Sequence, residues 1–357
     1  MNKKEYFAAA NTADGFISYF DKIFDPACLS DLYVIKGGPG TGKSSMMRRA
    51  ADAAEKNGLE VEYYYCSSDP SSLDGILIPG ISFAMIDGTS PHMTDPVYPG
   101  AVDTVFDVYP YLHVPALKKR REDVKKLTDK NKLLHRRSAA YRRFAGEAEK
   151  EAASLICFCI DFEKLDAAVN RAASFKCGGG AARHRQISAF STKGKVCLKT
   201  FENAAKTKTG VCDEHGSAYI FMNSLKEALI KKRVPFYYSL DTLLPYRCEA
   251  ILTSDGRYFG ISGKMADTDR GNYDKLINMK RFICADKLRD VRGKLRLCEK
   301  IRGTLDDEAQ RLIAEAGAVH DKLESIYRTA VDFDGLRAET DDMIKRIIKK
   351  PEDQRKN

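Results

Sequence analysis

The run Gly37-Gly38-Pro39-Gly40-Thr41-Gly42-Lys43-Ser44 restricts this chain more than any other feature, because it calls for a strand before it and a helix after it. It satisfies G-x-x-x-x-G-K-[S/T] at Gly37, Gly42, Lys43 and Ser44. A loop of this kind gathers several backbone N–H groups around concentrated negative charge, which requires glycine's positive dihedrals and close approach. The following helix turns its N-terminal dipole and unpaired donors towards the same anion. Leu32-Tyr33-Val34-Ile35 precedes the loop in an apolar strand over 31–36, and a helix is expected from about Lys43 to Lys56, stopped by Asn57-Gly58. The expected ligand is a nucleoside triphosphate with Mg2+. Gly37, Gly38, Pro39, Gly40, Thr41, Gly42, Lys43, Ser44 and Ser45 would surround the phosphates. Lys43 would reach the β- and γ-phosphates, and the Ser44 hydroxyl would bind magnesium.

Magnesium usually needs a further carboxylate at the end of a nearby strand. Ile81-Ser82-Phe83-Ala84-Met85-Ile86-Asp87 has that form, so Asp87 is the candidate metal ligand. Many ATPases place a water-polarising glutamate directly after this aspartate, but here the next residue is Gly88. Asp69, just past a β-rich stretch over 61–66, and His92 are the alternatives for that catalytic role. No Asn-Lys-x-Asp guanine-reading motif occurs, which favours ATP over GTP.

The chain also repeats itself. Asn11 to Phe16 resembles Phe190 to Lys195 at an offset of 179; Leu59 to Ile86 lies over Val234 to Ile261 at 175. Ala145-Gly146 and Asp161 to Leu165 match Ala316-Gly317 and Asp332 to Leu336 at 171. Two units are expected: 1–177, with a helical extension over about 115–174, and 181–357, with one over about 286–349. The glycine run after Cys177 separates them. Strand–helix–strand alternation in each predicts an α/β fold, a parallel sheet flanked by helices. In the second unit Ala218, Ser217 and Tyr219 fall at the places of Lys43, Gly42 and Ser44, and Ser262 at that of Asp87, so this half should not hold a nucleotide in the same way.

Between Pro115 and Ser174 there is no proline. Val124, Leu127, Leu134, Tyr141, Ala145, Ala148, Ala152 and Leu155 occupy heptad a and d places, interrupted by Asn131 and Ser138. Long helices folded back as a hairpin are the expectation. Lys118-Lys119-Arg120-Arg121, Arg136-Arg137 and Arg142-Arg143 make this region basic. Interleaved acids such as Glu122, Asp129 and Glu147 favour a solvated face over a nucleic-acid surface. A third role is an arginine that swings towards the triphosphate.

The net charge of +9 on 357 residues is modest, and no apolar run is long enough to insert in a membrane. Ten cysteines show no metal spacing, and Cys157 and Cys159 read as buried thiols, which suits a reducing cytoplasm. Taken with the loop and duplication, Ser72-Leu73-Asp74-Gly75 through Ser90-Pro91-His92 resembles the bacterial tandem-repeat P-loop ATPases. That resemblance implies ATP binding and a duplicated P-loop NTPase fold, and brings no substrate with it. In that family both halves commonly carry the loop; here the second does not. The loop wording is also similar to AAA-type ATPases, but the missing glutamate and arginine-finger region argue against them. A magnesium-dependent ATP hydrolase coupling nucleotide to conformational change is therefore the leading expectation. A small-molecule kinase with its acceptor, or a nucleotide-dependent module binding a protein partner, are its rivals.

Overall fold

The fold is taken from a computed structural model that describes residues 3–175, 178–265 and 270–348. Cys177 and Lys349, which the sequence reading places at a boundary and a helix end, lie outside the described residues. The first half begins with strands β1 (Lys4–Phe7), β2 (Ala9–Thr12) and β3 (Gly15–Ser18), then the short helix α1 (Phe20–Ile23). The loop-bearing unit follows as β4 (Asp31–Lys36), α2 (Lys43–Lys56), β5 (Glu62–Tyr65), β6 (Leu73–Ile78), β7 (Phe83–Asp87) and β8 (Asp103–Asp107). Helices α3 (Val114–Lys119), α4 (Arg121–Cys159) and α5 (Phe162–Ala172) end the half.

The second half repeats this plan. Its strands β9 (Ala182–His184), β10 (Ser188–Ser191) and β11 (Gly194–Cys197) lead into helix α6 (Thr200–Ala204). Then come β12 (Thr207–Cys212), α7 (Ala218–Lys231), β13 (Phe236–Leu240), β14 (Cys248–Thr253), β15 (Arg257–Ile261) and β16 (Lys275–Asn278). Two long elements, α8 (Ala285–Arg328) and α9 (Phe333–Ile348), complete it.

Each half builds a six-stranded sheet, in the order β1-β5-β6-β7-β4-β8 and β9-β13-β14-β15-β12-β16. The strand directions match one for one. In both sheets the third strand runs antiparallel to its two neighbours, and the other pairs are parallel. The expected all-parallel sheet is therefore corrected to a mixed one. The reason is β6, hidden in sequence between two turns: it returns from β5 through Ser67–Ser72 and into β7 through the turn at 79–82. Ile81, expected in a strand, belongs to that turn.

The expected hairpin is also corrected. The segment 121–159 is a single 39-residue helix, and its partner is the 44-residue α8 from the other half. The heptad reading identifies the right face, since Leu134, Ala145 and Ala152 are buried. Its two polar interruptions are cross-links: Asn131 donates to the Ala316 carbonyl (2.9 Å) and Ser138 to that of Ala309 (2.8 Å). Of the two cysteines read as buried, Cys159 is buried but Cys157 is exposed, because positions two apart on a helix face nearly opposite ways.

The halves exchange their last helices. α9 packs on α2 of the first half, with Leu336, Met343, Ile344 and Ile347 in one core with Met47, Ala51 and Ile76. In return α5 packs on α7, with Leu165 and Val169 joining Phe221, Leu225 and Ile251. A further core, including Val34, Ile86, Ala250 and Leu252, is shared by both sheets. The backbone bonds at the ends of the long helices occur in pairs with the halves interchanged. His113 N–H donates to the Ala330 carbonyl (2.7 Å) and Cys284 to Cys159 (2.8 Å); Asp332 donates to Tyr111 and Asp161 to Phe282 (both 2.8 Å). This is the isologous pattern of a two-fold dimer, built here within one chain. It also explains the repeated glycines of the arm. A Cβ at Gly146 would lie 2.4 Å from Ala13, and one at Gly317 2.8 Å from Thr192, so each long helix needs glycine where it crosses a hairpin turn.

Met343→Ala should lower stability by about 2–4 kcal/mol in urea denaturation, although Met343 lies in the half opposite the sheet it covers. A loss below about 0.5 kcal/mol would contradict the exchange of helices.

Candidate functional site

The loop between β4 and α2 closes as the sequence predicts. Gly40 and Gly42 have φ of 69° and 90°, and helix α2 begins at Lys43. Thr41 Oγ1 donates to the Gly38 carbonyl at 2.7 Å and braces the turn. Lys43, 9% exposed, donates from Nζ to the carbonyls of Gly37 (2.9 Å) and Gly38 (2.8 Å) and stands 3.5 Å from Asp87 Oδ2. β7 pairs parallel with β4, with Asp87 opposite Ile35, which sets this carboxylate at the end of the strand beside the loop. Asp87 Oδ1 accepts from the Thr89 N–H (2.9 Å) and hydroxyl (2.5 Å). The Ser44 oxygen accepts from the Leu73 N–H at 3.0 Å, and Ser45 is exposed. Among the described residues, no protein group accepts a hydrogen bond from the N–H of Gly40, Thr41 or Gly42.

The second half answers the same geometry differently. The Asp213 carboxylate accepts from the N–H groups of Gly216 (2.9 Å) and Ala218 (2.8 Å), so an internal anion caps the start of α7. Burial raises the Asp213 pKa, against the pull of those amides and of Arg247. The loop is also one residue shorter. Strand register aligns Asp87 with Ile261 rather than Ser262, since Ile35 faces Asp87 and Val211 faces Ile261. Either way the carboxylate is missing there.

The arm reaches the first loop directly. A Cβ on Gly38 would come within 2.6 Å of the Tyr327 ring, and one on Gly40 within 2.8 Å of the Glu324 carbonyl oxygen. Packing against α8 thus requires glycine at 38 and 40, and at 40 the positive φ requires it as well. Sequence alone offers no signal for this contact, since the partners lie in opposite halves of the chain.

Gly88 has a steric reason too. A Cβ there would lie 2.3 Å from Val34 Cγ1 and 3.4 Å from Lys36 Nζ, which itself donates to the carbonyls of Gly88 and Thr94 (both 2.8 Å). A glutamate after Asp87 has no room. Asp69 caps its own turn, accepting from Ser71 N–H (3.0 Å) and hydroxyl (2.6 Å). His92 is buried, stacked on Phe20 at 4.2 Å, with Nε2 3.1 Å from Asp74 Oδ2. Asp74 is the residue that sequence reasoning passed over as a site candidate, although its match to Glu249 in the second half was visible. Arg142 is not a swinging arginine: it is buried, paired with Asp306 of α8 at 2.8 Å and donating to the Thr242 carbonyl at 2.7 Å.

Among the described residues no group of three or more His, Cys, Asp or Glu forms a metal cage, and no helix is long and apolar enough to cross a membrane. Magnesium bound through one or two protein groups plus substrate phosphates needs no such cage, and Ser44 with Asp87 suits that chemistry. No family, curated protein or solved structure matches the chain.

Asp213→Ala should remove the internal anion. Added sulfate should then raise the melting temperature of the variant more than that of the parent, read by a thermal shift in matched ionic strength. Gly88→Ala should cost about 1–3 kcal/mol in urea denaturation, because Val34 must move.

Proposed function

We propose that this chain is an ATP-binding P-loop protein with one competent site, a magnesium-dependent ATPase whose nucleotide site is linked to the α4–α8 arm. One observation carries the reading: equivalent strand–loop–helix turns end in free loop amides and a lysine in one half, and in a built-in carboxylate in the other. The Gly40, Thr41 and Gly42 donors, with Lys43, form a cradle for an anion of high charge density. Lys43 would move from the Gly37 and Gly38 carbonyls to the phosphates. Ser44 and Asp87 would hold magnesium, which when bound offsets phosphate charge and orients the transferring group.

The contact of Tyr327 and Glu324 with the loop glycines supports coupling. A loop that tightens on phosphate must shift or load the end of α8, and through it α9 and the core beneath. Reciprocal linkage then makes the arm's position a determinant of nucleotide affinity. We take water as the acceptor, in keeping with the hydrolase expectation.

Calorimetric titration should show ATP with magnesium binding the parent and not Lys43→Ala. Hydrogen exchange should change across the last turns of α8 and the start of α9 when ATP is added to the parent, with no change in Lys43→Ala. Binding without any response in α8 would sink the coupling.

A further inference from the structure

A carboxylate that the loop motif does not account for stands at the same end of the sheet. The β5–β6 ladder skips one residue: Tyr64 pairs with Gly75 and Tyr65 with Leu73, leaving Asp74 as a bulge. Bulges re-aim a side chain and recur beside active sites. Leu73, one residue before, is hydrogen-bonded to Ser44 Oγ, and β6 pairs antiparallel with β7, Gly75 opposite Ile86. Asp74 therefore lies next in register to Asp87, beside the proposed magnesium position. It is 6% exposed, and its Oδ2 lies 3.1 Å from His92 Nε2. His92 Nδ1 and Ser67 Oγ are buried without a partner among the described residues. These two atoms beside the Asp74–His92 pair mark a place that is not finished by the protein alone.

The second half shows what the finished version looks like. Glu249 occupies the matching bulge, skipped between the Ser239–Ala250 and Leu240–Cys248 pairs. It is fully satisfied, by the Ser188 hydroxyl, by Ser239 Oγ (3.1 Å) and by Lys195 Nζ (2.9 Å). The position matching Lys195 in the first half is Phe16, whose ring meets His92 edge-on at 5.0 Å. A permanent ammonium in the half with the capped loop is replaced by an imidazole in the half with the open loop.

Resting on the nucleotide reading above, we infer that Asp74 is the proton acceptor of the P-loop site and His92 its positioning residue. The task denied to position 88 by Val34 then falls to the neighbouring strand. As the oxygen of water bonds to the γ-phosphorus, its proton passes to the Asp74 carboxylate. The bond from the γ-phosphorus to the β–γ bridging oxygen breaks, and its electron pair remains on ADP, whose charge Lys43 meets. Asp74 then releases its proton to solvent, restoring the carboxylate. Burial raises the Asp74 pKa, and the neighbouring His92 opposes this. The other titrating group against Asp74 is Cys66, whose thiol burial pushes up; Lys43 faces Asp87.

The test measures ATP affinity and phosphate release separately in the parent, Asp74→Asn, Asp74→Glu and His92→Gln, with folding checked by circular dichroism. In the parent, kcat should rise with pH along an acid limb to a plateau. Asp74→Asn should bind ATP within about twofold of the parent yet release phosphate about 100-fold more slowly or less, with the limb lost. Asp74→Glu should recover part of the rate, and His92→Gln should shift the limb. If Asp74→Asn does not fold, a shifted limb in His92→Gln with parental affinity carries the assignment, and an unmoved limb overturns it. Turnover in Asp74→Asn within threefold of the parent, with the same limb, also overturns it. A parent that binds ATP but releases no phosphate refutes the base while leaving the loop reading intact; a parent that binds no ATP removes both.

Discussion

Where α4 and α8 cross, Ser138 donates to the carbonyl of Ala309, its counterpart in the other half, and from this point the two helices run antiparallel in both directions. The rest of the architecture depends on that pairing. Each helix, by lying against its partner, delivers its own C-terminal segment to the sheet of the other half. There α5 and α9 complete cores that neither half could close with its own residues. Burying the apolar faces of α5 and α9 thus requires both halves at once, which makes the duplicated chain one cooperative body rather than two beads. The Arg142–Asp306 pair ties α4 to α8, while the bond from Arg142 to the Thr242 carbonyl and the Arg247–Glu149 pair (2.6 Å) fix the arm against the second half, each charge needing its partner to offset desolvation.

The same exchange brings functional asymmetry into a symmetric frame. α8 ends on the glycines of the first loop, through Glu324 and Tyr327, and only that loop keeps its donors without an internal acceptor. In the second half the corresponding donors belong to Asp213, and the bulged Glu249 belongs to Lys195. One half is electrostatically closed by its own side chains. In the other, the loop donors have no such side-chain partner among the described residues, and a long helix from the closed half rests on the loop.

Much of this was legible in the residues. Strand 31–36, helix 43–56 and the loop between them follow from local chemistry: an apolar run, glycines where φ must be positive, and a stop at Asn57-Gly58. The heptad face of α4 and the internal repeat were equally visible, because burial periodicity and duplication both leave marks along the chain. Strand β6 was missed because Leu73–Ile78 carries an Asp and a Gly and sits between turns, so no alternation announces it. Asp74 was seen only as half of an alignment. Its meaning comes from a bulge, and a bulge exists only when two strands are laid side by side.

The sequence by itself determined that a strand, a glycine loop and a helix would follow one another in the first half, and that the second half would lack the lysine and serine at the matching places. These are short-range matters of backbone freedom and charge. Only the tertiary structure decided which helix pairs with which, which sheet each final helix covers, and why glycine is required at 38, 40, 88 and 146. Those depend on surfaces from distant parts of the chain, where the partner of an apolar stripe or a missing Cβ is set by packing in three dimensions and leaves no local trace.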